Sequence, residues 1–260
     1  MATVLMPLAA RDFDPTETAV PWKVLTARGH TVNFATPDGL PGEADGRMLT
    51  GDGLGVARST LTADINGRRA YGEMVASRAF QRPQSYANIS SQDFDALVLP
   101  GGHAPGMKQY LESRILQSLV AQTFREGKPV GAICHGVLLA ARSKSADGRS
   151  VLFGKKTTAL TKQQELSAWA LTYLWLRDYY RTYPTTVQDE VTQALAQPSD
   201  FIAGPFSVVR DAPSRLQVGF TVRDGNYLSA RWPGDAHRFA SEFATVLDTV
   251  ISKTQALCSP

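Results

Sequence analysis

Short apolar runs alternate along the chain with longer segments in which apolar residues recur at helical spacing. The runs predict buried β-strands at residues 3–9, 30–37, 95–102, 129–134 and 157–161. Helices are predicted at residues 17–29, 113–128, about 162–180 and, as an amphipathic segment near the carboxyl end, 235–254. Strands that are apolar throughout are buried on both faces, so the pattern predicts a doubly wound, mostly parallel α/β sheet sandwiched by helices.

Several element ends carry residues that favour a helix start or a turn. Asp14 or Thr16 is the predicted N-cap of the first helix, because a short polar side chain can accept from the free backbone N–H groups there. Ser113 is the predicted N-cap of the helix at 113–128. Near the carboxyl end, Asp224-Gly225 predicts a hairpin turn between two further strands.

Residues 38–93 interrupt the alternation. Residues 38–72 are rich in Gly and Asp and predict an irregular excursion with short strands. Residues 71–83 predict one amphipathic helix. We expect about residues 38–93 to form an insertion that covers one edge of a site.

The composition narrows the class of protein. The chain has 260 residues, 43% hydrophobic and 20% charged, which is typical of a globular protein. The net charge is only +3 and the longest basic pieces are "GRR" and "GKK", so no nucleic-acid partner is expected. No apolar run approaches the ~20 residues that span a membrane. The N-terminus lacks a basic segment before an apolar one, so no secretory signal is predicted.

Only two cysteines are present, Cys134 and Cys258. A residue three positions from the end of the chain is a poor disulfide partner, because chain ends fray. We therefore expect two free thiols and a reducing compartment, with the cytoplasm as the predicted location.

Cys134 ends the apolar run "PVGAIC" and is followed at once by His135, Gly136 and a helical pattern. This strand–nucleophile–helix arrangement is typical of a strained elbow that exposes a reactive side chain. The alternative is a small buried hydrophobe before a helix. Free N–H groups at a helix start favour an anion, but they supply only ~1 kcal/mol of the roughly 4 that a fall in the pKa of Cys134 from ~8.5 to ~5.5 requires. We expect neighbours, His135 first, to supply the rest of this fall.

Acidic residues complete the predicted site. A third group that orients His135 could be Glu165, Asp189, Glu190 or Asp235, and spacing alone does not choose among them. Glu17, at the start of the first helix, would lie near Cys134. Two anions there would repel, so we predict that Glu17 has a raised pKa, keeps its proton and donates to sulfur.

The segment "LPGGHAPG" follows another strand and supplies backbone N–H groups. Gly101 and Gly102, together with the His135 amide, are predicted to stabilise an oxyanion. His103 either lines the pocket and binds substrate or is a loop histidine. The other two histidines, His30 and His237, are predicted at the surface. We find no metal-ligand spacing and no phosphate-binding loop, so no metal or cofactor is predicted.

Five segments together resemble the ThiJ/PfpI superfamily, which is related to class I glutamine amidotransferase domains: "DPTETAVPW", "DALVLPGGHAPG", "GKPVGAICHG", "GKKTTALTKQQE" and "YLSARWPGDAHRF". The resemblance implies one domain over residues 1–260 with a flavodoxin-like fold, usually dimeric. It assigns the elbow cysteine, the adjacent histidine and the first-helix glutamate to Cys134, His135 and Glu17. In the glyoxalase-like subgroup, a "GKxxTxFTxxxE" pattern places a glutamate at Glu165, and the insertion resembles that subgroup's cap. One departure is "HAPG", where the subgroup often has "HG" followed by an apolar residue.

The resemblance implies a cysteine-dependent glyoxalase-type lyase that converts methylglyoxal to lactate without glutathione or metal. The alternatives are an amide or peptide hydrolase and a redox-sensing thiol stress protein or chaperone, because the fold alone does not choose. The expected partners are a small carbonyl or amide substrate and a second copy of the chain. An aromatic stripe on the helix at 162–180 would be either core or a dimer face: Trp169, Tyr173, Leu176 and Tyr180.

Overall fold

A computed structural model describes the backbone of residues 1–257 and the side chains of residues 1–252. Its strands are Thr3–Pro7 (β1), Arg11–Phe13 (β2), Thr31–Thr36 (β3), Glu43–Ala44 (β4), Gln84–Ser85 (β5), Ala96–Leu99 (β6), Val130–Ile133 (β7), Thr221–Asp224 (β8) and Tyr227–Ala230 (β9). Its helices are Pro15–Ala27 (α1), Gly46–Thr50 (α2), Arg58–Leu61 (α3), Ile65–Val75 (α4), Arg78–Gln81 (α5), Lys108–Leu111 (α6), Arg114–Arg125 (α7), Gly136–Arg142 (α8), Lys162–Leu176 (α9), Val187–Ala194 (α10) and Ala236–Leu257 (α11). Cys258 lies outside the described residues.

Seven strands form one sheet in the order β5-β3-β1-β6-β7-β9-β8. Every neighbouring pair is parallel except β8 with β9. The central strands β6 and β7 are buried along their whole length, as their continuous apolar runs predict. α1 packs against α4 and α11, and α8 packs against α7 and α10. The predicted flavodoxin-like α/β fold is confirmed.

The cap residues that the sequence predicts explain where two helices begin. The Asp14 side chain accepts from the backbone N–H groups of Thr16 and Glu17 and so caps α1. The Ser113 side chain accepts from the Leu116 N–H and caps α7. Because the cap fixes the first turn of α1, it also fixes where Glu17 lies.

The predicted strand at residues 157–161 is wrong. Thr157 forms only an isolated bridge to Phe201, although its hydroxyl contacts Tyr227 and Ser229 on β9. The edge of β9 is already occupied by β8. The predicted hairpin between these strands is present, but Asp224 is the last residue of β8 and the turn is Gly225-Asn226, one residue later than Asp224-Gly225. With that edge paired, the segment at 157–161 cannot join the sheet.

The insertion is mostly helical, which corrects the prediction of short strands. Within residues 38–93 only β4 and β5 are strands, each of two residues. The helix expected at residues 71–83 is instead α4, which Asp64 caps, followed by the short α5, which Ser77 caps. Cap residues outweigh the apolar pattern here, since each supplies an acceptor to free N–H groups. That the chain is one domain with an inserted cap stays a prediction.

The expected aromatic stripe does not form one packed face. The helix α9 ends at Leu176, so Tyr180 lies beyond it and is buried, whereas Tyr173 is exposed. Leu174 and Trp175 on the same helix are also exposed. Tyr173, Leu174 and Trp175 are therefore not part of the core. That this face of α9 forms a dimer interface stays a prediction.

His30 and His237 are both buried, so their prediction as surface residues is wrong. The Nδ1 atom of His30 accepts from the Ala2 amide, which holds the ring against the start of β1. Burial lowers the pKa of each ring. Among residues 1–257, no helix is long and apolar enough to cross a membrane.

Where α8 approaches β6, residue 136 has no room for a side chain. A Cβ at this position would overlap the Leu99 carbonyl, a backbone group that cannot rotate away. We predict that Gly136→Ala lowers the free energy of unfolding by about 2 kcal/mol or more, through overpacking. Urea unfolding monitored by circular dichroism measures this.

Gly72→Ala is the matched control, because Gly72 lies inside α4 with open space around its Cα. It should stabilise the protein by about 0.5–1 kcal/mol, since alanine favours helix more than glycine. Equal effects of the two substitutions would contradict the close approach.

Candidate active site

Cys134 lies in the turn between β7 and α8 with φ of 57°, a left-handed conformation that non-glycine residues rarely adopt. Its amide donates to Ala230, so the turn is tied to β9. The residue is 1% exposed, and its side chain lines a cavity. The strained elbow that the sequence predicts is therefore present, and Cys134 is a free thiol.

Gly101 is the point at which three candidate groups meet. A Cβ placed on it would lie 2.7 Å from Glu17 Oε2, 2.7 Å from the His135 nitrogen and 2.8 Å from Cys134 Cβ. The Gly101 amide donates to Glu17 Oε2 at 3.0 Å. Only a residue without a side chain leaves room for the carboxyl and the thiol to lie together here.

One ring nitrogen of His135 faces the thiol of Cys134, and the other faces the hydroxyl of Thr182. Its Nδ1 is 3.5 Å from Cys134 Sγ, and its Nε2 is 3.2 Å from Thr182 Oγ1. The single proton of the Thr182 hydroxyl is donated to the His103 carbonyl at 2.8 Å, so Oγ1 must accept from Nε2–H. A neutral imidazole carries one N–H, which leaves Nδ1 bare toward sulfur.

Glu165 does not contact His135, which corrects the expectation that it holds the ring. Its Oε2 accepts from the Val187 amide at 2.8 Å, and its Oε1 is 3.8 Å from Arg181 Nε. Burial raises the pKa of Glu165 to about 7. Its carboxyl joins α9 to α10 while its side chain lines the same cavity as Cys134.

The other acids considered for this role form ion pairs elsewhere. Asp189 pairs with Lys162, Glu190 with Arg142 and Asp235 with Arg231. The partner that orients His135 is thus the hydroxyl of Thr182. Thr182 follows the irregular segment after α9, and no sequence signal indicates that it reaches His135.

Burial dominates the protonation of Glu17. It raises the pKa of Glu17 well above the ordinary value, and the neighbouring Asp14 charge raises it further. This confirms the predicted direction. Asp14 itself is buried, which raises its pKa to about 6 although it accepts from two backbone amides.

The expected fall in the pKa of Cys134 is wrong. Burial raises the pKa of this thiol, and the charges of Glu17 and Asp14 raise it further when these groups are ionised. The His135 amide, which donates toward sulfur, acts in the opposite direction but less strongly. Burial also lowers the pKa of the His135 ring well below its usual value, so the imidazole is neutral.

Glu17 and Cys134 thus compete for protons in a space that tolerates little charge. When Glu17 is protonated, its repulsion of a thiolate is absent and its carboxyl can donate to sulfur. When Glu17 is ionised, the thiol keeps its proton. The resting site that follows from burial has a neutral Glu17, a neutral His135 and a sulfur whose proton can pass to Nδ1.

The backbone amides that the sequence predicts as oxyanion donors are not all free to donate to a substrate. The Gly101 amide already donates to Glu17, so it is not free for an oxyanion. Gly102 has φ of 150°, and a Cβ there would lie 2.7 Å from the Asp12 carbonyl oxygen, so the backbone passes closely at this point. A role for Gly102 in stabilising an oxyanion stays a prediction.

His103 lines the cavity, as one of its two expected placements requires. Its ring lies 4.3 Å from the Tyr180 ring and 6.2 Å from the His135 ring, measured between centroids. Burial lowers the pKa of His103 to about 4, so the ring is neutral. Its Nε2 has no hydrogen-bond partner among the described residues. Substrate binding by His103 stays a prediction.

The cavity above Cys134 is small and mostly apolar. Its volume is about 100 Å³, and Leu160, Leu171, Phe206 and Trp232 contribute apolar side chains to its wall. A ligand of a few heavy atoms fits. In the described part of the chain, no cluster of His, Cys, Asp and Glu could hold a metal ion.

The fold and the site together define a class: parallel α/β proteins with a buried cysteine in the turn after a central strand, and with a carboxyl and an imidazole beside its sulfur. Within that class the chain belongs to the ThiJ/PfpI family: a model described as ThiJ/PfpI family-like matches residues 8–205.

Known relatives and solved structures agree with this family. Deglycase PfpI of Pyrococcus furiosus is 27% identical over 243 residues, covering 92% of this chain and 96% of that protein. The glutathione-independent glyoxalase hsp3101 of Schizosaccharomyces pombe is 35% identical over 81 residues, 30% of this chain and 33% of that one. The crystal structure of glyoxalase III from Candida albicans has a TM-score of 0.67 at 19% identity, covering 94% of this chain and 96% of that one. This likeness shows a shared fold.

The Thr182 hydroxyl should control the reactivity of Cys134 through the tautomer of His135. We predict that Thr182→Val slows alkylation of Cys134 by iodoacetamide about fivefold, corresponding to one lost hydrogen bond of ~1 kcal/mol. Thr182→Ser, which keeps the hydroxyl, should restore the rate. In nitrogen NMR, the His135 ring should be mainly the Nε2–H tautomer in the wild type and in Thr182→Ser. In Thr182→Val this tautomer should no longer dominate. An unchanged rate and tautomer in Thr182→Val would remove Thr182 from this role.

Proposed function

We propose that this protein is a cysteine-dependent, glutathione-independent glyoxalase-type lyase that converts methylglyoxal and water to lactate. One observation carries the proposal: Cys134 Sγ lies 3.5 Å from a bare imidazole nitrogen, against a buried carboxyl, at a cavity sized for a small carbonyl compound. The glyoxalase and deglycase names of the relatives support the same class of chemistry.

The first step is addition of the thiol to the aldehyde carbon. The sulfur forms the new S–C bond while its proton passes through His135 Nδ1 to the carbonyl oxygen, giving a neutral hemithioacetal. This route avoids a lasting charge in an apolar cavity, where an unpaired ion is costly. Glu17, when protonated, can donate to the sulfur or the oxygen as charge develops.

The second step moves a proton between the two carbons. His135 removes the proton from the carbon bonded to sulfur while the neighbouring carbonyl oxygen takes up a proton, giving an enediol. A proton then returns to the neighbouring carbon, and the hydroxyl on the sulfur-bearing carbon loses its proton and becomes the thioester carbonyl. The product is a lactoyl thioester on Cys134. Water then cleaves the S–C bond, releasing lactate and restoring the thiol. The overall reaction is an isomerisation followed by hydrolysis. It involves no net oxidation or reduction, so no redox cofactor is needed.

Deglycase activity is the second candidate, because the relatives that match almost the whole chain bear that name. Removal of a carbonyl adduct from an amine would use the same attack by Cys134 on a small carbonyl carbon. It differs in the group that leaves, which would be an amine. The narrow cavity supports a short carbonyl fragment near sulfur in both candidates.

The direct test is lactate formation from methylglyoxal in the absence of glutathione. We expect turnover by the wild type and less than about a tenth of it in Cys134→Ala, because Cys134 is the one cysteine among the described residues and the thioester needs its sulfur. Cys258→Ala, which removes the second cysteine of the sequence, is the matched control and should keep full activity. Circular dichroism checks that each variant is folded.

Other results would point to the remaining alternatives. Release of ammonia or free amine from amides without lactate from methylglyoxal would assign a hydrolase. Oxidation of Cys134 by mild peroxide, seen by mass spectrometry with no turnover of dicarbonyls or amides, would assign a redox sensor. More than about a tenth of wild-type activity in Cys134→Ala would rule out Cys134 as the nucleophile.

A further inference from the structure

A depression of about 580 Å³ adjoins the catalytic cavity. Three arginines line it: Arg58 on α3, Arg68 on α4 and Arg210 from the loop before β8. Arg210 also lines the cavity that contains Cys134, so the two spaces meet at its side chain. We call this surface the arginine depression.

The three guanidinium groups are held by the backbone and not by acids. None of them forms an ion pair in the part of the chain that the structure describes. Each instead donates to main-chain carbonyl groups: Arg58 to Thr50 at 3.0 Å, Arg68 to Ala63 at 2.8 Å, and Arg210 to Thr60 at 3.1 Å and Thr62 at 3.4 Å. Their positive charges are thus tethered to the backbone, and no carboxylate of the described residues forms an ion pair with them.

The one acidic residue that lines the arginine depression caps a helix and forms no ion pair with the three arginines. Asp64 caps α4, and its Oδ1 accepts from the Gly67 amide at 2.8 Å. A carboxylate in that position stabilises the start of the helix and is bound by backbone donors. Asp64 keeps its negative charge, so the side chains that line the depression carry a net formal charge of +2.

Arg210 has donors to spare at the boundary with the cavity. Its Nη2 is bound to the insertion, but its Nη1 is buried with no partner among the described residues. The guanidinium carbon lies 5.5 Å from the Trp232 ring centroid, within the range of a cation–π contact. Its charge also acts on the site, lowering the pKa of Glu17 against the effect of burial. A buried, unused guanidinium donor indicates a missing acceptor.

We propose that the substrate of the Cys134 site carries an anionic group, a carboxylate or a phosphate, which Arg58, Arg68 and Arg210 bind in the arginine depression while its carbonyl carbon lies at the sulfur. Arginine forks match the oxygens of these groups in geometry and charge. The inference rests on the proposed function for a reactive thiol, and it narrows the substrate class from neutral dicarbonyls to charged ones.

The first experiment measures charge preference without any catalytic turnover. Two thiol reagents of similar length, anionic sulfonatoethyl methanethiosulfonate and neutral hydroxyethyl methanethiosulfonate, are reacted with Cys134 in the Cys258→Ala protein. In each case the thiol displaces a sulfinate and forms a mixed disulfide. We expect the anionic-to-neutral rate ratio to exceed that of free cysteine by about threefold or more, and to fall in high salt because salt screens exposed charges.

Single substitutions test the three arginines. Arg58→Gln, Arg68→Gln and Arg210→Gln should each lower the ratio about threefold, as expected for partly exposed charges. Arg58→Lys and Arg68→Lys should retain most of it. Arg69→Gln is the matched control, since Arg69 is the next residue on α4 but does not line the depression. A wild-type ratio equal to that of free cysteine, or one that none of the three Gln variants changes, would overturn the proposal.

The second experiment uses substrates and distinguishes the two anions. Dioxovalerate, which carries a carboxylate, is compared with its uncharged counterpart oxopentanal, and hydroxypyruvaldehyde phosphate supplies the phosphate. We expect a higher kcat/KM for one or both charged compounds, and the better of them identifies the anion. A reagent preference with no dicarbonyl turnover would keep the charged subsite and reject the glyoxalase proposal. Turnover of methylglyoxal without any preference for charge would support the glyoxalase proposal and reject the charged subsite.

Discussion

The site depends on the burial of the Glu17 carboxyl against the Cys134 thiol. Both groups lie where the carboxyl ends of the central strands meet, and Gly101 lets them approach because it has no side chain. An ionised pair in this space would repel and would lose its hydration. The structure therefore disfavours ionising both groups at once, and in the proposed mechanism Glu17 is neutral when the sulfur reacts.

The surrounding fold supplies what this pair requires. Asp14 caps α1 and so places Glu17, while the close packing of Gly136 on Leu99 places Cys134 and His135. Thr182 leaves a bare imidazole nitrogen toward sulfur, so the thiol proton has a nearby acceptor. The insertion and the loop that carries Arg210 border the small cavity, which joins an apolar reaction space to a positively charged surface.

The sequence predicted the parts of this arrangement that depend on local pattern. Apolar runs located β1, β3, β6 and β7, and the turn after β7 identified Cys134. Parallel strands bring their ends together, so the meeting of Glu17, Gly101 and Cys134 followed from the topology.

The parts that depend on long-range packing were missed. Residues 157–161 have a strand pattern but are excluded by β8, and Glu165 was expected against His135 where Thr182 lies. The pKa of Cys134 was misjudged because the helix start and histidine were visible in the sequence, whereas the burial that outweighs them was not. The position of Arg210 at the cavity could not be predicted, because in the sequence an arginine in a loop looks like any solvated surface charge.

The most direct measurement is the ultraviolet titration of the Cys134 thiolate in the wild type and in Glu17→Gln, with Cys134→Ser spectra subtracted. If Glu17 stays neutral up to the pH at which the thiolate forms, as the account requires, glutamine replaces one uncharged donor with a weaker one. The midpoint of thiolate formation should then stay the same or rise. A fall of about one pH unit or more, equivalent to ~1.4 kcal/mol, would show that Glu17 is an anion beside the sulfur and would contradict this account.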